Sequence, residues 1–470
     1  MNSRYPACAL VLLVTLAPPD AFAAPAAGEG SGEAEGSGEG EGSGFDWDAL
    51  DGSGDYTSET VADEDPHPGR AASRVERADI ERRLPRSTPD ALRYEPGVYV
   101  QQTAQSQASP YIRGRTGQQT VLMFDGVRLN NSLFRQGPNQ YFFTVDSATV
   151  DHIDVLRGSA STTHGSDAIA GAIEAVPIEP TRDVFVDGFA VTPRLMLDAD
   201  SASSGYGGRA QFDMQLGPNV GLIGGVGARR MGLLRGGGAV RSPDTGALPE
   251  VPRLDDDGKT QLGTGFDEVT SDARIVVRVA DELDLVAAAY NYRQTDAPRT
   301  DQCAPPFAPF DECLQYDEQF RTVAYAGLDG DAGPVRDLEL RLSWQRQHEL
   351  RTHDRPGSFT INSGRDDVDT FGFRAVAHTP EFMLGRRGVL RLQYGGDLYH
   401  DRVRSRAWLS FSDVDVVRER SRGQYLDGST YTWGGAFVQA EVEVVERVTF
   451  RGGGRLAGAG ANAPGDPESG

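Results

Sequence analysis

From about residue 184 onward, apolar and polar residues alternate with a period of two. In Leu338-Glu339-Leu340-Arg341-Leu342-Ser343-Trp344-Gln345 one face reads Leu, Leu, Leu, Trp and the other Glu, Arg, Ser, Gln. The stretches 209–216, 390–394 and 438–444 alternate in the same way. This period predicts β-strands with one greasy and one polar face. Many segments reach ten residues or more, enough for a tilted strand to cross a bilayer. The connections alternate in length. Short turns are expected at 217–219, 281–282, 331–334 and 445–446, and long loops at 233–271, 297–318, 351–366 and 409–428. Tight turns at one end and extended loops at the other are the pattern of a membrane barrel rather than of a soluble sandwich. Tyr206, Tyr290, Trp344, Trp408, Tyr431 and Trp433 lie near segment ends and predict an interfacial aromatic belt. About eleven strands can be counted between residues 184 and 460. A closed single-chain bacterial barrel needs an even number, so the barrel is expected to be incomplete here, with 461–470 a polar tail.

Residues 71–180 have a different texture. Ala78–Leu84 and Ser87–Leu92 predict two short helices, the second capped by Ser87 or Thr88 with Pro89 in its first turn. Short strand-like runs follow at 97–100, 111–113, 120–124 and 153–156, separated by polar, Gly-containing turns. A small α+β domain is predicted. Asp125-Gly126, after the apolar run Val121–Phe124, is a tight-turn dipeptide.

The first segment reads as an address. An apolar run, Cys8–Ala17, follows Arg4, and Ala21-Phe22-Ala23 supplies small residues for cleavage. Residues 1–23 are therefore expected to be a secretory signal peptide. Residues 24–70 are rich in Gly, Ser and Glu and predict a flexible linker, because they bury too little apolar surface to offset ordering entropy. Export permits a disulfide between Cys303 and Cys313, which sit in one Pro- and Phe-rich loop; two free thiols are the alternative.

Composition excludes one class of partner. The formal charge is -23, and Lys259 is the only lysine, so nucleic acid is not an expected ligand. The mean hydropathy of -0.43 is compatible with a barrel, whose strands turn only alternate residues to lipid.

Residues 74–176 resemble the plug domain of TonB-dependent outer-membrane receptors. The matching pieces, in order, are Val75–Ile80, Asp90–Val98, Tyr111–Gly114, Val121–Asn130, Ile153–Gly158 and His164–Ile173. The ordered set, behind a signal peptide and ahead of alternating strands, carries the resemblance. Two positions depart from the family pattern: His164 stands where an aromatic is usual and Glu174 where Asn is usual. The resemblance implies a 22-stranded-type transmembrane β-barrel, only about half present, filled by an N-terminal α+β plug. It further implies a receptor in the outer membrane of a Gram-negative bacterium. Such a receptor takes up a scarce nutrient such as a ferric siderophore or haem and is energised by TonB with ExbB and ExbD.

On this resemblance the ligand contacts are expected on the plug's apical loops, at Gln105, Gln107, Asn130, Asn131, Phe134, Arg135, Asn139 and Tyr141. Amides, an arginine and aromatics suit a hydrogen-bonded polar ligand or an anionic chelate. Glu59, Thr60 and Val61 form the expected TonB-contact strand, which needs backbone more than side chains. Arg113, Arg128 and Arg157 are expected to pair with carboxylates on the barrel wall. His164, His348 and His353 could serve as iron ligands if haem is the cargo.

No catalytic chemistry and no cofactor are expected. The sequence contains no P-loop, HExxH or GxSxG, and Gly205–Ala210 mimics a dinucleotide fingerprint where a strand, not a helix, follows. Asp255-Asp256-Asp257-Gly258 lacks the further ligands of a calcium loop. The competing reading is a truncated receptor or β-rich surface protein that binds without transporting.

Overall fold

The computed structural model describes residues 70–133, 141–183, 185, 188–249, 252–300, 313–354, 358–385, 388–411, 416–445 and 448–465. The signal peptide, the linker and the TonB-contact stretch lie outside these residues.

The first part is a small mixed domain. Its elements are β1 (Ala71–Val75), α1 (Arg77–Arg83), a 3-10 turn over Thr88–Leu92, β2 (Val98–Ala104), β3 (Gln107–Ile112), β4 (Thr120–Phe124), β5 (Val127–Arg128), β6 (Val150–Arg157), α2 (Ser161–His164) and β7 (Gly171–Pro177). Five strands form a sheet in the order β1-β6-β7-β4-β5, and β2 and β3 form a separate hairpin. β4 and β7 run parallel, and the other pairs are antiparallel. The second predicted helix is a 3-10 turn, and the Ser87 side chain makes no capping bond. β1, β5 and β7 were not legible as strands: they are short, and two of them pair only with partners distant in sequence.

The second part is one large antiparallel sheet. It comprises β8 (Phe189–Asp200), β9 (Gly205–Leu216), β10 (Val220–Met231), β11 (Phe266–Ala280), β12 (Leu283–Pro298), β13 (Cys313–Ala332), β14 (Val335–Asp354), β15 (Thr360–His378), β16 (Phe382–Leu384), β17 (Gly388–Phe411), β18 (Val416–Glu419), β19 (Thr430–Val445) and β20 (Val448–Asn462). Eleven of these follow one another in a continuous path from β8 to β20, with β16 and β18 appended to β17. Each strand pairs with its chain neighbour on that path, as an up-and-down sheet requires. The strands extend well into stretches expected as long loops. β14 continues to Asp354 and β15 begins at Thr360, so little of 351–366 is loop. β20 likewise runs to Asn462, two residues into the expected tail.

The alternation is inverted relative to a soluble sheet. On β14 the polar residues Arg341 and Gln345 are 3% and 1% exposed, whereas apolar Leu342 is 57% exposed. Phe373, opposite Leu342 by register, and Leu398, opposite Phe373, are also exposed, as are Phe212, Leu195, Val438 and Phe450 on other strands. A continuous apolar outer face over a polar inner face is stable when the outer medium is hydrocarbon. No helix among the described residues is long and apolar enough to cross a membrane, which says nothing of strands.

The small domain lies against the polar face. Its core, with Ile80, Leu92, Ile112, Leu122, Phe124, Phe142, Phe143, Ile153 and Ile173, is continuous with Val276, Val286, Tyr292, Val323 and Tyr325 of the sheet. Tyr290 joins it, standing edge-on to Phe124 at 4.7 Å. This overturns part of the expected aromatic belt. Tyr290 faces inward, and Tyr431 and Trp433 stack on each other beside inward-facing Tyr399. Tyr206, by contrast, is exposed on the outer face, as a belt residue should be.

Candidate functional site

The contact between the small domain and the sheet has three zones, taken from the short-turn end to the long-loop end. The first is built by the β4–β5 turn. Asp125 and Gly126 both adopt positive φ, 47° and 74°, which makes a two-residue turn of the tight hairpin type. The turn tip enters a cluster of wall arginines. Arg274 donates to the Asp125 carboxylate and, at 2.7 Å, to the Tyr325 hydroxyl, which in turn donates to Asp125. Arg341 donates to the Asp125 carbonyl at 2.9 Å and to its carboxylate at 3.2 Å. Burial alone would push the Asp125 carboxyl up, but Arg341, Arg274 and the Tyr325 hydroxyl outweigh it and hold the group below the usual carboxylate range.

Beside it, Glu174 accepts the Gly126 N–H at 2.8 Å. Glu339 stands next to this turn, ion-paired with Arg374. A β-carbon on Gly126 would lie 1.8 Å from the Glu339 Oε1. Burial, and then repulsion from Glu339, push the Glu174 carboxyl up to about 7. Two carboxylates of one turn region thus have opposite shifts, because one meets two guanidiniums and the other meets a second carboxylate.

The second zone is an amide-lined seat for the β2–β3 hairpin. Gln105 accepts the Gly265 N–H at 3.0 Å. Gln107 donates to Gln319 at 2.7 Å, and Gln294 donates to the Ser106 carbonyl at 3.5 Å. Next to this seat Arg321, fully buried, donates to Thr144, Gln345 and Gln347 at 2.8, 2.6 and 2.8 Å. Asn131 also donates to Gln347, at 3.0 Å, and the Ser132 N–H donates to Asp401 at 2.6 Å.

The third zone is open. A cavity of about 720 Å³ at the long-loop end is bordered by Arg128, Asn130, Asn131, Asp167, Tyr431 and Trp433, with Arg455 on the wall side. Arg128 lies over the Trp433 ring at 6.0 Å and is ion-paired with Asp167. Arg455 donates to Asp397 at 2.7 and 2.6 Å.

The expected ligand residues fall into distinct environments. Asn130 and Asn131 border the cavity. Asn130, however, uses both ends of its amide on β4, accepting from the Leu122 N–H at 2.8 Å and donating to the Thr120 carbonyl at 3.0 Å. Gln105 and Gln107 are buried in the amide-lined seat, and Tyr141 is buried beside Phe143. Phe134, Arg135 and Asn139 lie outside the described residues, as do Glu59, Thr60, Val61 and Cys303. Cys313 opens β13 and is disulfide-bonded.

The expected pairing of domain arginines with wall carboxylates is corrected. Arg128 pairs with Asp167 and Arg157 donates to Ser73 at 2.7 Å, both within the small domain. The polarity runs the other way: the small domain supplies carboxylates, and the wall supplies Arg274 and Arg341. The sequence analysis places Arg341 on the polar face of 338–345 and does not single out Arg274. The signal that could have found them is a buried-phase arginine on strands whose apolar residues occupy the opposite phase. His348 is also accounted for: it faces Asp367 at 2.7 Å through Nδ1 and Glu318 at 3.1 Å through Nε2. Among the described residues no group of three or more His, Cys, Asp or Glu side chains is arranged so that it could hold a metal ion.

Comparison with known proteins agrees with this architecture. Residues 68–172 match the family model of the TonB-dependent Receptor Plug Domain. Among solved structures, the copper transporter OprC is 14% identical with a TM-score of 0.62, covering 83% of this chain and 55% of its own. FpvA of P. aeruginosa, solved with heterologous pyoverdines, is 12% identical with a TM-score of 0.60, covering 84% and 52%. The Serratia marcescens hemophore receptor HasR, solved with its hemophore HasA and heme, is 13% identical with a TM-score of 0.60, covering 83% and 52%. The chain thus spans about half the length of the solved structures it matches, and at these identities the likeness is one of fold.

Proposed function

We propose that this chain, which carries a TonB-dependent receptor plug domain and has the plug-and-barrel fold of those receptors, acts as a receptor that captures a scarce nutrient and passes it across the outer membrane. The observation that carries the reading is the plug seated on the polar face of a sheet whose other face is apolar and exposed. In hydrocarbon the backbone edges of β8 and β20 must be paired, so the closed barrel contains strands besides those described.

The cavity at the long-loop end is the proposed capture site. Its Tyr431 and Trp433 suit a polar, partly aromatic ligand, the chemistry of a metal chelate or haem. Phe134, Arg135 and Asn139 follow Leu133 of the cavity lining and are proposed to complete it. Similar folds belong to proteins whose names refer to copper, pyoverdine and heme. Release needs the plug to move against zones one and two. TonB, acting on the Glu59–Val61 stretch, is the proposed source of that force.

The test is growth of a deletion strain on defined sources of iron, haem, copper and vitamins. Loss of growth on one source, restored by the wild-type gene, is the expected result. Unchanged uptake of all of them refutes nutrient import.

A further inference from the structure

Of the arginines buried among the described residues, Arg128, Arg209, Arg274 and Arg341 each pair with a carboxylate. Arg321 of β13 does not. It is 2% exposed, and its guanidinium donates only to neutral oxygens. On the plug these are the Thr144 hydroxyl at 2.8 Å and the Leu129 carbonyl at 3.5 Å; on β14 they are Gln345 at 2.6 Å and Gln347 at 2.8 Å. Glu349, the buried carboxylate two positions along β14 from Gln347, accepts from Gln319 at 3.4 Å and forms no ion pair with Arg321. Neutral acceptors satisfy N–H groups but do not cancel a charge, and a buried ion left without a counter-ion is strongly unfavourable.

Position links this cation to the cavity. By register Arg321 lies in one row with Gln347, Val368 and Val403, and Val403 lines the cavity. Asn131, also of the lining, donates at 3.0 Å to the same Gln347 oxygen that accepts from Arg321. One plug amide thus connects the cavity lining to the partner of the buried guanidinium. Donors are also left over on the wall. Gln347 Nε2 is buried without a hydrogen-bond partner. Gln345 Nε2 donates to the Arg128 carbonyl of the plug at 2.7 Å. When the plug moves off, Arg321 and both amides remain on β13 and β14, and the partners they lose are Thr144, Leu129 and Arg128.

We propose that Arg321, with Gln345 and Gln347, forms a station on the barrel wall for an oxyanion, the carboxylate-type edge of an anionic chelate, filled once the plug has moved away. This reading rests on the import function proposed above. A planar guanidinium takes an oxyanion edge-on through two N–H groups, and flanking amides add donors without adding charge. One cation among amides also holds an anion weakly enough to release it, which a site along a passage requires. The docked plug brings no carboxylate to Arg321, so the guanidinium stays uncompensated until cargo arrives.

The experiment uses the full chain in nonionic detergent, with citrate as the probe and chloride keeping the ionic strength constant. A ligand that binds only the opened state favours opening by mass action, so plug amides beside the station should exchange faster. These are the N–H groups of Leu129, Thr144 and Val145, which donate to the Leu122, Tyr141 and Phe142 carbonyls at 2.9, 3.1 and 3.2 Å. At ten times the half-saturating citrate concentration they should exchange about tenfold faster. The Leu84 amide, bonded to Ile80 at the end of α1, should not change. Arg321→Met should abolish the citrate response, and Arg321→Lys, which keeps the charge, should retain part of it. Arg82→Gln, on the exposed side of α1, should respond as wild type does. Exchange that citrate leaves unchanged in wild type, or accelerates equally in wild type and Arg321→Met, overturns the station; the wild-type arm stands even if a variant does not fold. Equal acceleration by inorganic phosphate at the same concentration assigns the station to a free inorganic anion and overturns the chelate as its occupant. The growth test fails separately: a growth defect without a citrate response refutes the station alone, and a citrate response without any growth defect refutes import alone.

Discussion

Replacing Asp125 by Asn tests the plug's ionic anchor most directly. The substitution keeps the shape of the side chain and removes its charge. Three donors lose a carboxylate: Arg274, Arg341 and the Tyr325 hydroxyl. Breaking a buried ion pair from one side costs about 3–5 kcal/mol, because the remaining charge stays desolvated. Here both guanidiniums keep a second partner, Glu179 for Arg274 and Asp329 for Arg341. The expected cost is therefore at the lower end, about 3 kcal/mol. Hydrogen exchange reads it locally. The Asp125 N–H donates to the Ala175 carbonyl at 3.0 Å and the Gly126 N–H to Glu174 at 2.8 Å, so both amides report on this seat. Where reclosing outpaces exchange, they should exchange about a hundredfold faster in the variant. The Leu122 N–H, bonded to Asn130 inside the plug, should change less. Adding Arg341→Met should recover part of the loss, since the orphaned charge is then gone. Unchanged exchange in Asp125→Asn, or strictly additive effects of the two substitutions, refutes the reasoning.

Glu174→Gln should act with the opposite sign. Because the folded-state carboxyl titrates near 7, above its usual value of 4.5, its favourable contribution is full below about 4.5 and is lost as pH rises through 7. The variant should match wild type in plug stability at pH 5 and exceed it at pH 8; identical melting at both pH values contradicts this. Gly171→Ala should prevent normal docking of β7 on β6, since φ is +145° and the new β-carbon would lie 1.9 Å from the Leu156 carbonyl oxygen. A loss of at least about 1–3 kcal/mol in denaturant midpoint is expected, and a neutral result counts against the close approach. Leu342→Arg, on the outer face, should destabilise the protein in vesicles by about 2–4 kcal/mol. A chain that tolerates it equally in vesicles and in buffer does not present that face to lipid.

Much of the architecture follows from one-dimensional pattern. The strict alternation at 338–345 fixes a two-faced strand, and Asp125-Gly126 fixes a tight turn, because both depend on neighbours in the chain. The ordered motifs of residues 74–176 carried the plug assignment, which the family match over residues 68–172 agrees with. The site was less legible. Gln105, Gln107 and Asn131 were selected as polar loop residues, but whether such an amide meets a ligand or the wall depends on what stands opposite. Gln107 meets Gln319 and Asn131 meets Gln347, each more than two hundred residues away.

By itself, then, the sequence determined periodicity, turn chemistry and the identity of the plug, since these rest on contacts between near neighbours. Only the tertiary structure decided which polar residues pair. It placed Arg274 and Arg341 on Asp125, turned Arg128 back onto Asp167, and set Tyr431 and Trp433 inward. The physical reason is that an ion pair or a stacked ring is selected by the partner's position across the sheet, which the register of many strands sets and no local stretch of chain encodes.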